Sequence, residues 1–474
     1  MPDLLRNPYD FVPLEDGPQR STQPAGLHTF TNGLTGEISC RLTVLTPLMI
    51  GTGDRTEDQR QAVFHPARVN GEFVIPASAL KGMLRSVVEV ASNSCMSALS
   101  RSYPGLGEFD TRRARGYAPC EDLDQLCPAC AMFGMVETKE RSGEEAKGAL
   151  AGRIWLTAAR LTSSPKRDAE RIALPGRFNA KEGNIAPIGS PKPGHESFYF
   201  DASGNCLGRK FYYRSARWQA MLDQYRKTYK EILSHNYRTI ILEAAPQDTL
   251  FEFTVHFVNL SEIELDYLLY GLCLESGICH HLGYGKPFGL GSVRIEAGPI
   301  RLRQKAVDAP GPAYLLRYDD GSVVEVQRPG FEERVWGNRP HAPAVRKKLR
   351  EILTWPRDEI FFYPDYNWFR DPKKSRGVTL AQYQAGVRTS AMAAPSTPKA
   401  SPAGRLRGRV EKFEGGRGFI RAENGERVFV RFSEIRGTGY RNLDVGDTVE
   451  FEVRMEDRGP RAYDVVVIPP GGRR

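Results

Sequence analysis

Cys120, Cys127 and Cys130 are spaced C-x6-C-x2-C in a proline-containing stretch with little regular patterning. Short thiolate spacing of this kind suits tetrahedral zinc, which needs a fourth ligand. Cys95 and His65 are the candidates, and Cys95 is nearer in sequence. A structural zinc ion would order a loop this long; ordinary reduced cysteines are the plainer reading. A thioredoxin-type pair fits poorly, because Cys-Pro-Ala-Cys neither follows a strand nor opens a long helix. A second chemical cue is the run Leu282 to Val293, with glycine at Gly283, Gly285, Gly289 and Gly291 around Lys286. Glycines there let successive N–H groups turn toward a phosphate, although a tight strand connection needs glycine too. Lys81 and Arg85 are four apart and share a face near the start of a helix, where anions are favoured. A solvated basic face would look the same.

The last seventy or so residues carry a different pattern. Arg417-Gly418-Phe419-Ile420 is followed by Val428-Phe429-Val430-Arg431-Phe432, and both runs alternate as strands do. Alternation places aromatic and basic side chains on one face. Phe413, Phe419, Phe429 and Phe432 could stack bases, while Arg409, Lys412, Arg417 and Arg431 neutralise phosphates. A barrel whose phenylalanines form its core is the competing reading. Turn signals at Asn424-Gly425 and Gly446-Asp447 fit short strands.

These residues need scaffolds. A chain of 474 residues with 40% hydrophobic content is too long for one core, so two or three domains are expected. The net charge of +9 suits a polyanionic partner. No run reaches membrane-helix length and the first residues lack an apolar leader, which points to a cytoplasmic protein. Eight cysteines scattered through such a chain argue for reduced thiols or metal over disulfides. Residues 1–35 read as a loosely ordered lead-in. Residues 36–303 alternate strand-like and helix-like pieces. Glu37 to Leu48 is a strand, Ser78 to Val90 a helix capped by Ser78, Phe251 to Leu260 a strand, Glu262 to Ser276 a helix, and Gly291 to Ile295 a closing strand. Two strand–helix–strand halves make an α+β, ferredoxin-like or RRM-like domain. Residues 304–385 read as its extension, 386–403 as a flexible Ala/Ser/Thr/Pro linker, and 404–474 as an all-β barrel of the OB type. The segment Gly189 to His195 looks like a binding loop of unassigned ligand.

Three ordered motifs resemble a known superfamily. They are Thr46-Pro47-Leu48-Met49-Ile50-Gly51-Thr52-Gly53, then Ile75-Pro76-Ala77-Ser78-Ala79-Leu80-Lys81-Gly82-Met83-Leu84-Arg85, then Leu282-Gly283-Tyr284-Gly285-Lys286-Pro287-Phe288-Gly289-Leu290-Gly291. Together they look like the RAMP superfamily of CRISPR-associated proteins, and Cys127 to Gly134 is similar to a segment of its type III backbone subunits. The resemblance implies an RNA-binding subunit of a type III-like effector complex, with guide RNA, target RNA and other effector subunits as partners. It also implies a catalytic carboxylate in the loop of Asp54, Glu57 and Asp58, with Asp54 first and Asp58 second. Carboxylates there could hold Mg²⁺ while the RNA's own 2′-OH attacks. Alternatives are a stand-alone guide-processing endoribonuclease using His281 or His280 as general acid, and a single-strand chaperone. The tail, through Gly408-Arg409-Val410, Arg417 to Ile420, Val428 to Ile435 and Leu443 to Phe451, resembles the cold-shock domain. One Gly-Phe unit of the usual first motif is missing, and Arg431 stands where that family has His.

Overall fold

The computed structural model describes residues 7–21, 33–57, 61–97, 102–103, 107–108, 111–114, 116–136, 149–162, 169–179, 184–186, 196–228, 238–305, 318–337, 339, 341–363, 368, 371, 375, 377–384, 405–414, 417–431, 434–435, 443–456 and 459–468. The chain forms two compact units. The first comprises residues 1–99, 111–189 and 205–365, and the second 100–110, 190–204 and 366–474. Asp58, Phe432, the 189–195 loop and the 386–403 linker lie outside the described residues.

In the first unit, two strand–helix–strand halves build one antiparallel sheet. They are β1 (Leu34–Val44), α1 (Ala77–Ala91), the broken pair β2 (Ile154–Leu156) and β3 (Ala159–Leu161), then β4 (Leu250–Leu260), α2 (Glu262–Cys273) and β5 (Ser292–Lys305). β1 lies between β5 and β4, and β4 pairs on its other edge with β2 and β3. That order is ferredoxin-like. α1 buries Leu80, Met83, Leu84, Val87 and Val88, the stripe its periodicity required. Ser78 does not cap it: the N-cap is Pro76, with no side-chain bond. α2 buries Leu265, Leu268, Leu269 and Leu272, and its start is closed by a Ser261–Glu264 capping box.

A second sheet, ordered Asn184–Ala186, Glu170–Asn179, Arg238–Ala244, Gln61–Pro66 and Gly51–Glu57, belongs to the same unit. The expected lead-in is partly structural. Tyr9–Val12 is a fully buried strand paired with Arg209–Tyr212, because its apolar and aromatic side chains find a place in the core.

The second unit contains a closed barrel. Its strands are β6 (Leu406–Glu414), β7 (Arg417–Ala422), β8 (Arg427–Arg431), β9 (Thr448–Glu456) and β10 (Gly459–Ile468), ordered β6-β7-β8-β10-β9. Val410, Phe413, Ile420, Val428, Val430, Val449 and Phe451 fill it.

Helices after β5 are tied down by buried charge. Asp266 on α2 is 1% exposed at its side chain and accepts hydrogen bonds from both Arg328 and Arg334. Burial alone would raise its pKa, but the bonds from Arg334 and Arg328 outweigh that and hold it below the ordinary 3.8. Asp266→Ala strands two guanidinium groups and should cost about 2–3 kcal/mol, at the low end because Arg334 is 42% exposed. The contribution is present above the ordinary carboxylate pKa and lost as pH falls through the depressed value. Denaturant melts of wild type and variant should therefore converge in acid.

Candidate functional site

The four cysteines converge. Cys95 follows the end of α1, Cys120 lies on the loop beyond it, and Cys127 is the N-cap of a short helix, Pro128–Phe133, that carries Cys130. All four are buried, and their sulfurs lie within 4.8 Å of one another. Cys95 Sγ is 3.6 Å from both Cys130 Sγ and Cys127 Sγ. A zinc–sulfur bond of about 2.3 Å implies a tetrahedral sulfur–sulfur edge of about 3.8 Å, so the donor set fits zinc. Cys95, not His65, completes it. Backbone N–H groups of Cys127 and Cys130 point at Cys120 Sγ (3.4 Å) and Cys127 Sγ (3.5 Å), which favours thiolate. Hydrogen bonds from Cys120, Cys130 and Cys95 push the Cys127 thiol down, whereas Cys95 and Cys130 are pushed up.

Arg85 belongs to this centre. Its Nη2 donates to Cys130 Sγ at 3.1 Å, Nε to Glu89 at 3.0 Å, and Nη1 to the Gly134 carbonyl at 2.8 Å. The sequence placed it beside Lys81 on a phosphate face; instead its guanidinium turns inward, because buried sulfurs and Glu89 offer acceptors there. Arg209 approaches Glu89 from the other side at 3.5 Å.

α1 also lines a cavity of about 460 Å³. Ser78, Ala79, Gly82 and Ser86 of α1 line it, together with Gly51, Gly283, Tyr284 and Lys286. Among the described residues, none that lines the cavity or stands in the first turn of α1 is acidic. An uncapped helix start and an ammonium on one wall would favour an anion there. Burial, and then Arg214, pull Lys286 below the ordinary lysine range, and burial followed by Arg85 does the same to Lys81.

The glycine run works differently from the expected cradle. Gly283, Gly285, Gly289 and Gly291 all have φ between 75° and 78°, and a Cβ at Gly291 would lie 1.9 Å from the Leu282 carbonyl oxygen. The amides of Leu282, Tyr284, Phe288, Gly289, Leu290 and Gly291 bond within the loop or to Pro47 and Met49. The run therefore shapes the wall and presents Lys286 more than it offers amides. The Gly283 amide makes no backbone bond among the described residues.

His280 and His281 are both buried and hydrogen-bonded at the ring, which disfavours a general-acid role, although His281 borders the cavity. His280 is buried with Nε2 at 2.9 Å from the Leu272 carbonyl, and burial pushes its pKa down to about 4. His281 accepts from Arg214 at Nδ1 (2.6 Å) and donates from Nε2 to the Leu290 carbonyl. Burial and the adjacent Arg214 hold it far below its usual pKa. Asp54 stands exposed on the strand Gly51–Glu57, not in a loop, and bonds Thr52 Oγ1 at 2.9 Å. The only group of three or more metal-ligating side chains among the described residues is the cysteine set. Among the described side chains, Asp54 alone of the three expected carboxylates is placed.

On the barrel, Phe419 and Phe429 are cross-strand partners with rings 5.6 Å apart. Arg417 and Arg431 pair at one end of this face, and Arg421 and Arg427 at the other. The Arg427 guanidinium sits 4.1 Å from the Phe419 ring centre and Arg431 5.7 Å from that of Phe429. Lys412 lies opposite Phe419. Phe413 is buried in the core, because it falls on the other phase of its strand. Arg421 and Arg427 were missed, although the same alternation places them on the face.

Residues 406–468 match the model of the 'Cold-shock' DNA-binding domain, and residues 41–294, more than half of the chain, that of the RAMP superfamily. Cold shock-like protein CspE of Bacillus anthracis is 51% identical over 63 residues, covering 13% of this chain and 94% of that protein. Cold shock protein CspB of Geobacillus stearothermophilus is 47% identical over 62 residues, again 13% of this chain and 94% of the relative. The solved structure of drosophila Unr CSD456 is 31% identical over 15% of this chain and 29% of that one, with a TM-score of 0.13. Among the described residues no helix is long and apolar enough to cross a membrane. A RAMP domain implies a CRISPR-associated RNA-binding protein, and a cold-shock domain implies nucleic-acid binding. The chain belongs to the RAMP superfamily and carries a C-terminal cold-shock domain.

Proposed function

We propose that this chain is an RNA-holding subunit of a type III-like CRISPR effector complex, gripping guide RNA at the cavity beside α1. The observation that carries the reading is the acid-free wall formed by the uncapped start of α1, Lys286 and the glycine run. Phosphate recognition of that kind is independent of sequence, as a subunit that accepts any guide requires. The cold-shock barrel adds a stacking face for single-stranded RNA. Zinc at Cys95, Cys120, Cys127 and Cys130 is structural, fixing the end of α1. Target cleavage is assigned to the hairpin carrying Asp54, with Mg²⁺ supplying charge neutralisation at the phosphate when bound. A stand-alone processing nuclease is less well supported, since both candidate histidines are buried and bonded at the ring.

Replacing Lys81 and Lys286 with Ala should weaken binding to every single-stranded sequence and reduce the log–log salt slope by roughly 0.7 per lost phosphate contact. Anisotropy titrations across a salt series measure this, and an unchanged slope removes the cavity from the interface.

Elemental analysis should find about one zinc per chain, lost in Cys127→Ser. Arg85→Met should keep the wild-type salt slope but release zinc to a chromogenic chelator with affinity lowered roughly 10–100-fold.

Phe419→Ala and Phe429→Ala should each cost roughly 1–3 kcal/mol in single-strand binding without unfolding the barrel. Phe413→Ala should instead destabilise the barrel by about 3–5 kcal/mol. Thermal melts paired with binding isotherms separate the two classes.

A further inference from the structure

Three side chains on the hairpin sheet form a hydrogen-bonded chain that the RNA-holding role does not use. His65 lies on Gln61–Pro66, between Gly51–Glu57 on one side and Arg238–Ala244 on the other. Its Nδ1 is 3.1 Å from Glu243 Oε2, and its Nε2 is 3.0 Å from Thr56 Oγ1. A carboxylate only accepts, so Nδ1 carries the proton and Nε2 presents a lone pair to a hydroxyl. This is the arrangement of a base, its orienting acid and a hydroxyl donor. The dyad is partly shielded, with 34% of the His65 and 24% of the Glu243 side chain exposed. His280 and His281 differ: both are buried and bonded inward.

Placement gives the dyad a substrate. Gly51, the first residue of the outer strand, lines the phosphate cavity. Thr52 and Asp54 are hydrogen-bonded to each other within a bulge between Gly51 and Arg55, and Thr56, next on the strand after Arg55, meets His65 Nε2. Gly51 pairs with Pro66 and Thr56 with Val63, three residues along the partner strand, so at roughly 3.3 Å per residue Thr56 stands about 10 Å from Gly51, within reach of a strand that leaves the cavity along the hairpin. We propose that His65, held by Glu243, is the general base for RNA cleavage on this hairpin, with the Thr56 hydroxyl marking where a ribose 2′-OH sits. The inference rests on the reading that the Asp54 hairpin is the cleavage site.

In the step, His65 Nε2 takes the proton of the 2′-OH, and the 2′-oxygen forms a bond to the adjacent phosphorus. The bond from phosphorus to the 5′-oxygen breaks, and water protonates that oxygen. The products are a 2′,3′-cyclic phosphate and a 5′-hydroxyl, and the imidazolium returns its proton to solvent. His65 is the catalytic residue; Glu243 is a positioning residue.

The test uses the full chain purified with the RNA and subunits it carries, given a labelled RNA complementary to the bound guide. His65→Ala should lose roughly 10²–10⁴-fold in single-turnover cleavage, keep its RNA affinity, and regain rate with added imidazole. Glu243→Gln should lower kcat at unchanged KM, and Glu243→Asp should restore part of it. Product ends should be cyclic phosphate and 5′-hydroxyl. Full-rate cleavage by His65→Ala, with Asp54→Ala inactive, overturns the base and leaves the hairpin reading standing. Wild-type rates in both variants, or no cleavage by the wild type, overturn both. Joint loss of binding and cleavage in His65→Ala, without imidazole rescue, makes the pair structural and overturns the proposal.

Discussion

Glu89 is 6% exposed and takes Arg85 on one side and Arg209 on the other. That buried chain of charges fixes α1, because removing any member strands another in a medium that solvates it poorly. Arg85 passes the constraint to Cys130, and Arg209 donates to the Ser94 and Cys95 carbonyls. The cysteine centre, the end of α1 and the strand Arg209–Tyr212 therefore hold one another in register. The cavity wall along α1 inherits that rigidity. The proposed phosphate site gains from it, since a helix start attracts an anion only while its amides stay pointed at it.

The two proposed nucleic-acid surfaces rest on different physics. The cavity beside α1 offers charge and a helix start without aromatic faces among its lining residues beyond Tyr284. It should hold backbone and respond steeply to salt. The barrel offers Phe419 and Phe429 between two rows of arginine. Part of that charge is already neutralised, as Glu411 pairs with Arg421 and Arg427. Stacking thus carries more of its affinity, and salt less. A guide gripped at one surface and loose strand at the other would not compete for the same contacts.

Much of the fold was legible locally. The stripe of Leu80, Met83, Leu84, Val87 and Val88 has helical spacing, and the alternation of Phe251 to Leu260 has strand spacing, so both elements stand where they were expected. The strand Tyr9–Val12 was not, because four residues among prolines and charges carry too little periodicity to register. Cap assignment at α1 failed for a related reason. Ser78 is a good capping residue, but the helix begins at Ala77, one residue earlier.

By itself the sequence determined what depends on near neighbours: the Cys127–Cys130 spacing, the glycines with left-handed φ, and the faces on which alternating side chains fall. Only the tertiary structure decided which face is covered and which partner is met. Phe413 and Phe419 are alike in type, yet one packs in the barrel core and the other faces out beside Arg427. Cys95 joins three cysteines 25 to 35 residues away, while His65 meets Glu243 across 178 residues. Arg85 shares a helix face with Lys81 but bends toward sulfur. The reason is common to all of them. Periodicity along a chain sets direction, but the energy of a buried charge, thiol or ring depends on the distant segment that packs against it.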